Sequence, residues 1–194
     1  MDKTGIIILA AGNSSRLGRP KQLLPYRGST LLSYVVTEAL AASLQPVVVV
    51  TGAYHQEIED SLQGQPVELV YNADWKTGMA SGVGAGLRKA LAVEPQLLAV
   101  IAAVCDQPYI SAKIFQALAA EYAVSGKGLV ACQYAEAVGT PMLFDRKYFK
   151  ELAGLSGEAG AKQLKKRYPE DVATVSFPEG SIDIDTEEDL EKII

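Results

Sequence analysis

The 194-residue sequence is poor in the residues on which disulfide frameworks and histidine-based catalysis depend. It has two cysteines, Cys105 and Cys132, which are too few for a disulfide framework and do not form a CxxC pair. We therefore predict a reducing, cytoplasmic environment, and we interpret Cys105 as a residue of the core. The single histidine, His55, follows the run VVVVTGAY, and we interpret it as the start of a helix and not as a catalytic base.

Long apolar runs and an excess of positive charge are also missing. No apolar run approaches the roughly 18 residues that a membrane-spanning helix needs, and the apolar stretch in MDKTGIIILAAG is too short for a signal peptide. The net charge of -5 is not that of a nucleic-acid coat, which needs a basic surface. We therefore expect no membrane and no nucleic acid as partners, and a polyanion would have to be held by a few local cations.

What the sequence does contain is an alternation of strand and helix patterns. The apolar runs GIIILA, PVVVVTG, PVELVYN, QLLAVIAAVCD, GLVACQY, GTPMLFD, VATVSF and SIDID predict strands, and the first is typical of a strand buried on both faces. Helices are predicted in STLLSYVVTEALAAS, YHQEIEDSLQ, GMASGVGAGLRKALA, SAKIFQALAAEYA, GEAGAKQLKKRYP and TEEDLEKII, with Ser29, Ser111 and Thr186 as N-caps of the first, fourth and last. This pattern predicts an α/β fold of three layers, α/β/α, around a mostly parallel twisted sheet, in a single domain spanning residues 1–194.

In such sheets, ligands bind beyond the carboxyl ends of the strands. The residues that directly follow an apolar run are therefore the candidates for a functional site. These segments are residues 9–21, 51–52, 72–78, 106–108 and 183–185.

The longest of these segments belongs to the stretch LAAGNSSRLGRPKQLLP, residues 9–25. Its glycines and serines allow successive backbone N–H groups to converge on an anion, and Arg16, Arg19 and Lys21 add positive charge. The stretch is a poor P-loop, since Arg19 follows the second glycine, and it lacks the GxGxxG fingerprint of dinucleotide sites. The later GVGAG falls within a helical pattern. A merely solvated turn is also conceivable, although such turns usually have about two to six residues.

The stretch resembles the corresponding loop of the molybdenum cofactor nucleotidyltransferase family, in the form LAAG-x-SSR-x-G-x-x-K-x-LLP. Similar segments follow in order as NADWKTGMASGVGAGL, CDQP, GTPMLF, LSGEAGAKQL and DIDTEEDL, so the resemblance covers nearly the whole chain. It implies a Rossmann-like nucleotide-diphospho-sugar transferase fold. The chain has LAAG where the guanylyl branch typically has LAGG, which favours the cytidylyltransferase branch, whose product is molybdopterin cytosine dinucleotide.

The implied reaction is the transfer of a nucleoside monophosphate. A terminal phosphate of the acceptor attacks the α-phosphorus of a nucleoside triphosphate, and pyrophosphate leaves. Because the acceptor phosphate is already a nucleophile, catalysis needs positioning and charge neutralisation and no activated serine or cysteine. We expect Arg16 and Lys21 to hold the triphosphate, with Arg19 at the rim.

A carboxylate that meets a polyphosphate needs a metal ion between the two. Asp106 follows a buried strand, where a bare carboxylate is costly, so it is the expected ligand and catalytic residue for Mg²⁺, the implied cofactor. Asp183 and Asp185 are two residues apart and would share one face of a strand. Either of them is a candidate for the second metal ligand.

By resemblance, two further groups of residues are expected to contact the nucleotide and the acceptor. Trp75 could stack on a ring or pack against the sheet. The chain has Gly82 where the family often has a small hydroxyl residue, and Glu158 where relatives often have aspartate, so the acceptor is less well specified. The remaining nucleotide contacts are Leu9, Ala10, Ala11, Gly12, Ser14, Ser15, Thr51 and Gly52, and the acceptor contacts are Asn72, Trp75, Gly78, Ser81, Gly139 and Pro141.

Three functional hypotheses follow. The first is a Mg²⁺-dependent transferase that moves CMP from CTP to molybdopterin, with a molybdoenzyme as the recipient of the product. The second keeps the chemistry but takes another phosphorylated acceptor, such as a sugar or polyol phosphate. The third is a nucleotide-binding chaperone that delivers the cofactor to a molybdoenzyme without turnover; it does not require the predicted metal pair.

Overall fold

A seven-stranded sheet forms the centre of the computed structural model, which describes residues 3–134, 137–157, 162–186 and 188–189. The strand order is β5-β4-β1-β6-β8-β7-β9, and β8 alone among these seven runs antiparallel to its neighbours. A small hairpin of two further strands, β2 and β3, follows the loop after β1. The bounds are β1 Thr4–Leu9, β2 Pro25–Tyr26, β3 Ser29–Thr30, β4 Val47–Thr51, β5 Glu68–Tyr71, β6 Ala99–Val104, β7 Leu129–Tyr134, β8 Ala137–Asp145 and β9 Val172–Ser176.

Helices cover both faces of the sheet, which confirms the predicted three layers. Successive residues of β1 serve the two faces: Ile6 and Ile8 belong to the core on one side, and Ile7 belongs to the core on the other. The first face packs against α1, α2 and α4, and the second packs against α3, α5 and α6. The helices are α1 Leu31–Ala41, α2 His55–Ser61, α3 Met79–Val93, α4 Ala112–Ser125, α5 Phe149–Ala153 and α6 Lys162–Arg167.

The glycines of GVGAG lie within α3, as predicted, and bring that helix close to the sheet. Gly86 sits against Ile7 of β1 and Val50 of β4, and a Cβ at this position would overlap both side chains. The motif therefore serves helix–sheet packing and forms no dinucleotide loop.

Two of the predicted N-caps differ in the structure. Ser29 lies in β3, and Thr30 caps α1 by accepting a hydrogen bond from the backbone N–H of Ser33 at 3.1 Å. Ser111 stands at the N-cap position of α4, but its side chain makes no capping bond. Instead, Glu38 of α1 accepts from the Ala112 amide at 2.7 Å and so ties the two helices together.

The strand predicted for SIDID is wrong. A single turn of 3₁₀-helix, Pro178–Ser181, precedes irregular backbone over residues 182–185. Ile184 is fully buried beneath the loop after β1, and its amide donates to the carbonyl of Asp106 at 3.0 Å. Tertiary contacts, and no strand pairing among the described residues, therefore hold this segment.

Thr186 accepts a hydrogen bond from the Asp189 amide at 3.2 Å, as an N-cap does. Most of the helix predicted after it lies outside the described residues. In the part of the chain that is described, no helix is long and apolar enough to cross a membrane.

Candidate active site

A cavity of about 510 Å³ opens beyond the carboxyl ends of β1 and β6. Three predicted segments meet there: the loop after β1, the turn between β5 and α3, and the residues after β6. This is the edge at which a parallel sheet presents its loops to a ligand. The cavity is lined by Leu9, Ala11, Gly12, Asn13, Lys21, Gln22, Asn72, Trp75, Lys76, Gly78, Met79, Gly82, Val104, Cys105 and Asp106.

A cluster of four charged side chains stands at this edge. The Lys21 ammonium donates to Asp106 Oδ2 at 2.5 Å, to Asp185 Oδ1 at 2.9 Å and to the carbonyl of Ile184 at 3.3 Å. Arg16 Nη1 donates to the other oxygen of Asp185 at 2.7 Å. Lys21 and Asp106 are largely buried, with 15% and 19% of their side chains exposed, whereas Arg16 is 74% exposed. Three of these residues are the predicted catalytic set, and the fourth is one of the two candidates for the second metal ligand.

The charges in this cluster stabilise one another. Burial alone would lower the pKa of Lys21, but the adjacent carboxylate of Asp106, with a further bond to Asp185, outweighs burial and raises it. The hydrogen bond from Lys21, helped by Arg16, holds the pKa of Asp185 below its usual range. Lys21 is therefore a permanent cation at neutral pH, and it contacts two carboxylates.

The oxygens around Lys21 are those that a hard divalent cation prefers. Asp106, Asp185 and the Ile184 carbonyl supply three oxygen donors around one point. Among the described residues, no three acidic, histidine or cysteine side chains form a metal cage by themselves. Two carboxylates suit Mg²⁺, which takes its other ligands from phosphate oxygens and water, so these residues fit the implied ion.

Asp183 has different surroundings from Asp185. It is exposed, whereas Asp185 is half-buried and bonds Lys21 and Arg16. Burial of Tyr134, followed by the charge of Asp183, raises the pKa of that tyrosine.

The backbone of the loop after β1 has an asymmetric hydrogen-bond pattern. Each carbonyl from residue 10 to residue 14 accepts a bond from the protein, whereas no described residue accepts from the amides of residues 11–13. A backbone with occupied carbonyls and open amides suits an anion. The donors are Gln22 Nε2 to Ala10 and Gly12 (both 2.9 Å), the Ala53 amide to Ala11 (3.1 Å), the Tyr54 hydroxyl to Asn13 (3.1 Å) and the Leu17 amide to Ser14 (3.0 Å).

Four of the predicted nucleotide contacts line the cavity, namely Leu9, Ala11, Gly12 and Lys21. Ala10 is buried, and Ser14, Ser15 and Arg16 lie along the loop outside the cavity lining. Ser14 supports the loop, because its hydroxyl accepts from the Lys21 amide at 3.1 Å.

The other two predicted nucleotide contacts have structural partners. Thr51 is fully buried, and its hydroxyl donates to the Val70 carbonyl at 3.3 Å and lies 2.8 Å from Nδ1 of His55. His55 begins α2, as predicted. A Cβ on Gly52 would lie 2.5 Å from the Ala11 carbonyl and 2.8 Å from the Trp75 Cβ, so glycine at this position lets the loop and the turn after β5 approach each other.

The predicted acceptor contacts fall into two groups. Asn72, Trp75 and Gly78 line the cavity, as does Gly82. Ser81 lies behind them: Asn72 Nδ2 donates to its hydroxyl at 2.8 Å, and the hydroxyl reaches the carbonyls of Asp74 and Gly78 at 3.0 and 2.9 Å.

The second group of acceptor contacts, Gly139 and Pro141, lies in β8 and outside the cavity lining. Gly139 packs under the Tyr134 hydroxyl, where a Cβ would overlap it. Glu158 lies outside the described residues.

Asn13 and Lys76, which fall within the predicted segments 9–21 and 72–78, and Met79, directly after the second, also line the cavity. Sequence reasoning missed Gln22, which lines it as well. The sequence did give one signal for Gln22, because it is a polar residue between Lys21 and the apolar run LLP. In the structure, only 1% of Gln22 is exposed. Cys105 is buried as expected, and burial, followed by the charge of Asp106, raises the pKa of its thiol to about 12. This thiol is therefore not a nucleophile at neutral pH.

The comparison with protein families matches residues 6–172 to the MobA-like NTP transferase domain. A relative from Paenarthrobacter nicotinovorans, nicotine blue oxidoreductase, is 31% identical over 197 residues, covering 97% of this chain and 95% of that protein. Purine catabolism protein PucB of Bacillus subtilis is 28% identical over 167 residues, covering 82% of this chain and 79% of that protein.

Several solved structures share the fold of this chain. Rv0371c from Mycobacterium tuberculosis is similar at a TM-score of 0.82 and 27% identity, covering 99% of this chain and 97% of that one. The manganese complex of Rv0371c is similar at a TM-score of 0.79 and 26% identity, covering 98% and 97%. A nucleotidyl transferase from Methanothermobacter thermautotroptrophicus shares the fold at a TM-score of 0.84 and 23% identity, covering 100% and 96%.

Proposed function

Because this chain belongs to the MobA-like NTP transferase family, we propose that it transfers CMP from CTP to the phosphate of molybdopterin and releases pyrophosphate, as a single domain spanning residues 1–194. The observation that carries the proposal is the Lys21–Asp106–Asp185 cluster beside a loop with open backbone amides. Cations, carboxylates and anion-binding amides at one edge suit a polyphosphate substrate and its metal ion.

In the proposed reaction, an oxygen of the acceptor phosphate forms a bond to the α-phosphorus. The bond from the α-phosphorus to the oxygen bridging to the β-phosphate breaks, and pyrophosphate leaves with that electron pair. Lys21 and Arg16 would bind triphosphate oxygens and offset the charge that develops on the leaving group. Asp106 and Asp185 would hold Mg²⁺, which supplies further charge neutralisation when bound. No side chain needs to remove a proton, because the acceptor phosphate is already an anion.

Different observations support the metal ion, the nucleobase and the acceptor. The divalent metal is supported by the two carboxylates and by the manganese complex of Rv0371c. CTP is supported by the LAAG motif at residues 9–12. Molybdopterin as acceptor, and a molybdoenzyme as the recipient of the product, follow from the resemblance of the loop, the CDQP segment and the DID segment to the molybdenum cofactor nucleotidyltransferases.

A second candidate function comes from the relative named nicotine blue oxidoreductase, which is 31% identical. On that hypothesis the cavity would bind a reducible substrate and a hydride donor. The pairing of Lys21 with two carboxylates favours phosphoryl chemistry, because hydride transfer requires no metal-binding carboxylates. Two further candidates remain within nucleotide binding: transfer to a sugar or polyol phosphate, and delivery of the cofactor by a chaperone without turnover.

The test is release of pyrophosphate in the presence of Mg²⁺ with each of CTP, GTP, ATP and UTP, with and without molybdopterin. Release with CTP that requires molybdopterin would support the proposal in full. Release with another triphosphate would change the nucleobase, and release with a sugar phosphate would change the acceptor. Triphosphate binding without release would favour the chaperone, and reduction of a dye by a nicotinamide cofactor would favour the oxidoreductase.

The same assay tests the residues. Lys21→Ala and Asp106→Ala should each reduce kcat/KM at least about 100-fold, since each removes a charge from the site of transfer. The matched control is Lys89→Ala, because Lys89 pairs with Glu68 at 2.8 Å on the surface of α3. Equal losses in the Lys21 and Lys89 variants would contradict the assignment of Lys21.

A further inference from the structure

Gln22 is almost completely buried, with 1% of its surface exposed, and its side chain serves only the loop after β1. Its Nε2 uses both of its hydrogens on the carbonyls of Ala10 and Gly12, each at 2.9 Å. Its Oε1 accepts from the Ser14 hydroxyl at 3.4 Å. All three contacts fall within residues 10–14, so one buried amide group fixes the backbone of this loop.

The geometry of the trans peptide determines where the neighbouring N–H groups of the loop point. In a trans peptide the C=O of one residue and the N–H of the next point in opposite directions. Because the carbonyls of Ala10 and Gly12 both point to Gln22, the N–H groups of Ala11 and Asn13 both point away from it. They therefore lie roughly parallel on the outer side of the loop, where Gly12 and Asn13 are exposed. No described residue accepts from either N–H group.

We propose that Gln22 is a positioning residue, which aligns the N–H groups of Ala11 and Asn13 to bind one phosphoryl group of the substrate. The inference rests on the proposed function in that the phosphoryl group belongs to the nucleoside triphosphate. Without the Gln22 amide, the two carbonyls lose their donors, and either peptide can rotate to present an oxygen to the phosphate. An oxygen at this position repels the anion, so the loop would lose affinity and selectivity for polyphosphate.

The chain provides a matched control for burial and lost hydrogen bonds. Tyr148 is buried, with 6% exposed, and its hydroxyl donates to Asp171 Oδ2 at 2.5 Å. Neither residue lines the cavity. Tyr148→Phe therefore removes a hydrogen bond from a buried position as Gln22→Met does, but only Gln22→Met alters the loop after β1.

The first experiment measures binding of inorganic tripolyphosphate by calorimetry in the presence of EDTA. We expect Gln22→Met to bind about ten-fold or more weakly than wild type, and Tyr148→Phe to stay within about two-fold of it. Equal affinities of the two variants would overturn the proposal. In the pyrophosphate assay, Gln22→Met should raise KM for the triphosphate more than it lowers kcat, because the amides bind substrate in the ground state as well.

A second experiment needs no variant and therefore does not depend on whether Gln22→Met folds. Tripolyphosphate is titrated into ¹⁵N-labelled wild-type protein, and the amide proton shifts of Ala11 and Asn13 are followed. Both should move downfield as they form hydrogen bonds, whereas the Ala53 amide, which already donates to Ala11, serves as the internal reference. Unchanged shifts at Ala11 and Asn13 in the saturated protein would refute the role of Gln22.

The two experiments also separate this inference from the proposed function. If wild type binds tripolyphosphate through these amides but releases no pyrophosphate with any acceptor, the role of Gln22 stands and the transfer reaction fails. If pyrophosphate release is intact and Gln22→Met has an unchanged KM, the reaction stands and the role of Gln22 fails.

Discussion

At the residue scale, the two aspartates of the DID segment differ in what they contact. Asp185 bonds both Lys21 and Arg16, whereas Asp183 is exposed. The sequence predicted two aspartates on one strand face, and it left the choice of metal ligand open. The irregular backbone of residues 182–185 decides which aspartate reaches Lys21, and spacing along the chain does not encode that path.

This difference gives a prediction for paired variants. Asp185→Asn should reduce kcat/KM for pyrophosphate release at least about ten-fold more than Asp183→Asn, because Asp185 shares the Lys21 cation with Asp106. Isothermal titration with Mn²⁺ in the presence of CTP should likewise show weaker Mn²⁺ binding by Asp185→Asn than by Asp183→Asn. A larger loss for Asp183→Asn in both measurements would identify Asp183 as the ligand.

At the scale of elements, the sequence determined most of the sheet and failed at the short segments. Continuous β-branched runs such as IIIL and VVVV bury both faces, so β1 and β4 were predicted within a residue or two. SIDID has the alternation of a strand but joins neither sheet of the described residues, because Ile184 anchors it beneath the loop after β1. Local periodicity indicates which face can be buried, but it does not tell whether a partner strand is available.

Helix α3 offers a test of packing in which two glycines of the same helix are compared. A Cβ on Gly86 would overlap Ile7 and Val50, whereas a Cβ on Gly84 would meet only the flexible end of Arg88 at 3.4 Å and the Ala153 carbonyl at 3.5 Å. Gly86→Ala should lower the free energy of unfolding by about 1–3 kcal/mol through overpacking. Gly84→Ala should leave it unchanged or raise it by up to about 1 kcal/mol, since alanine favours helices. Urea denaturation of both variants checks this; a stable Gly86→Ala would mean that α3 can shift away from β1.

At the scale of the whole molecule, the candidate site assembles from distant parts of the chain. Lys21 reaches Asp106 across 85 residues and Asp185 across 164. The rule that ligands bind beyond the carboxyl ends of parallel strands placed Lys21 and Asp106 at one edge, but it placed Asp185 there only through a strand that does not form. It did not reveal that the lysine and the carboxylates bond each other directly, because that depends on side-chain reach and on the path of the loop.

This cluster predicts how the whole molecule responds to a metal ion. The Lys21 ammonium lies among the oxygens that a divalent cation would use, so the ion must displace it. Without nucleotide, Lys21→Met should therefore bind Mn²⁺ about ten-fold more tightly than Lys76→Met, which removes a charge from the same cavity without freeing a carboxylate. Mn²⁺ titration followed by electron paramagnetic resonance measures both affinities. Equal or weaker binding by the Lys21 variant would show that the lysine does not compete with the ion.

The internal ammonium also bears on the order of events in the life of the protein. Asp106 and Asp185 already pair with Lys21 in the folded chain, so folding needs no metal ion. A chelator should therefore leave the melting temperature of the protein unchanged. Lys21 can leave the carboxylates at little cost only when another anion binds it. A triphosphate with a bound cation would supply the anion for Lys21 and a cation for the carboxylates at the same time. On the proposed function, we therefore expect the metal ion to arrive with each substrate and to leave with each product.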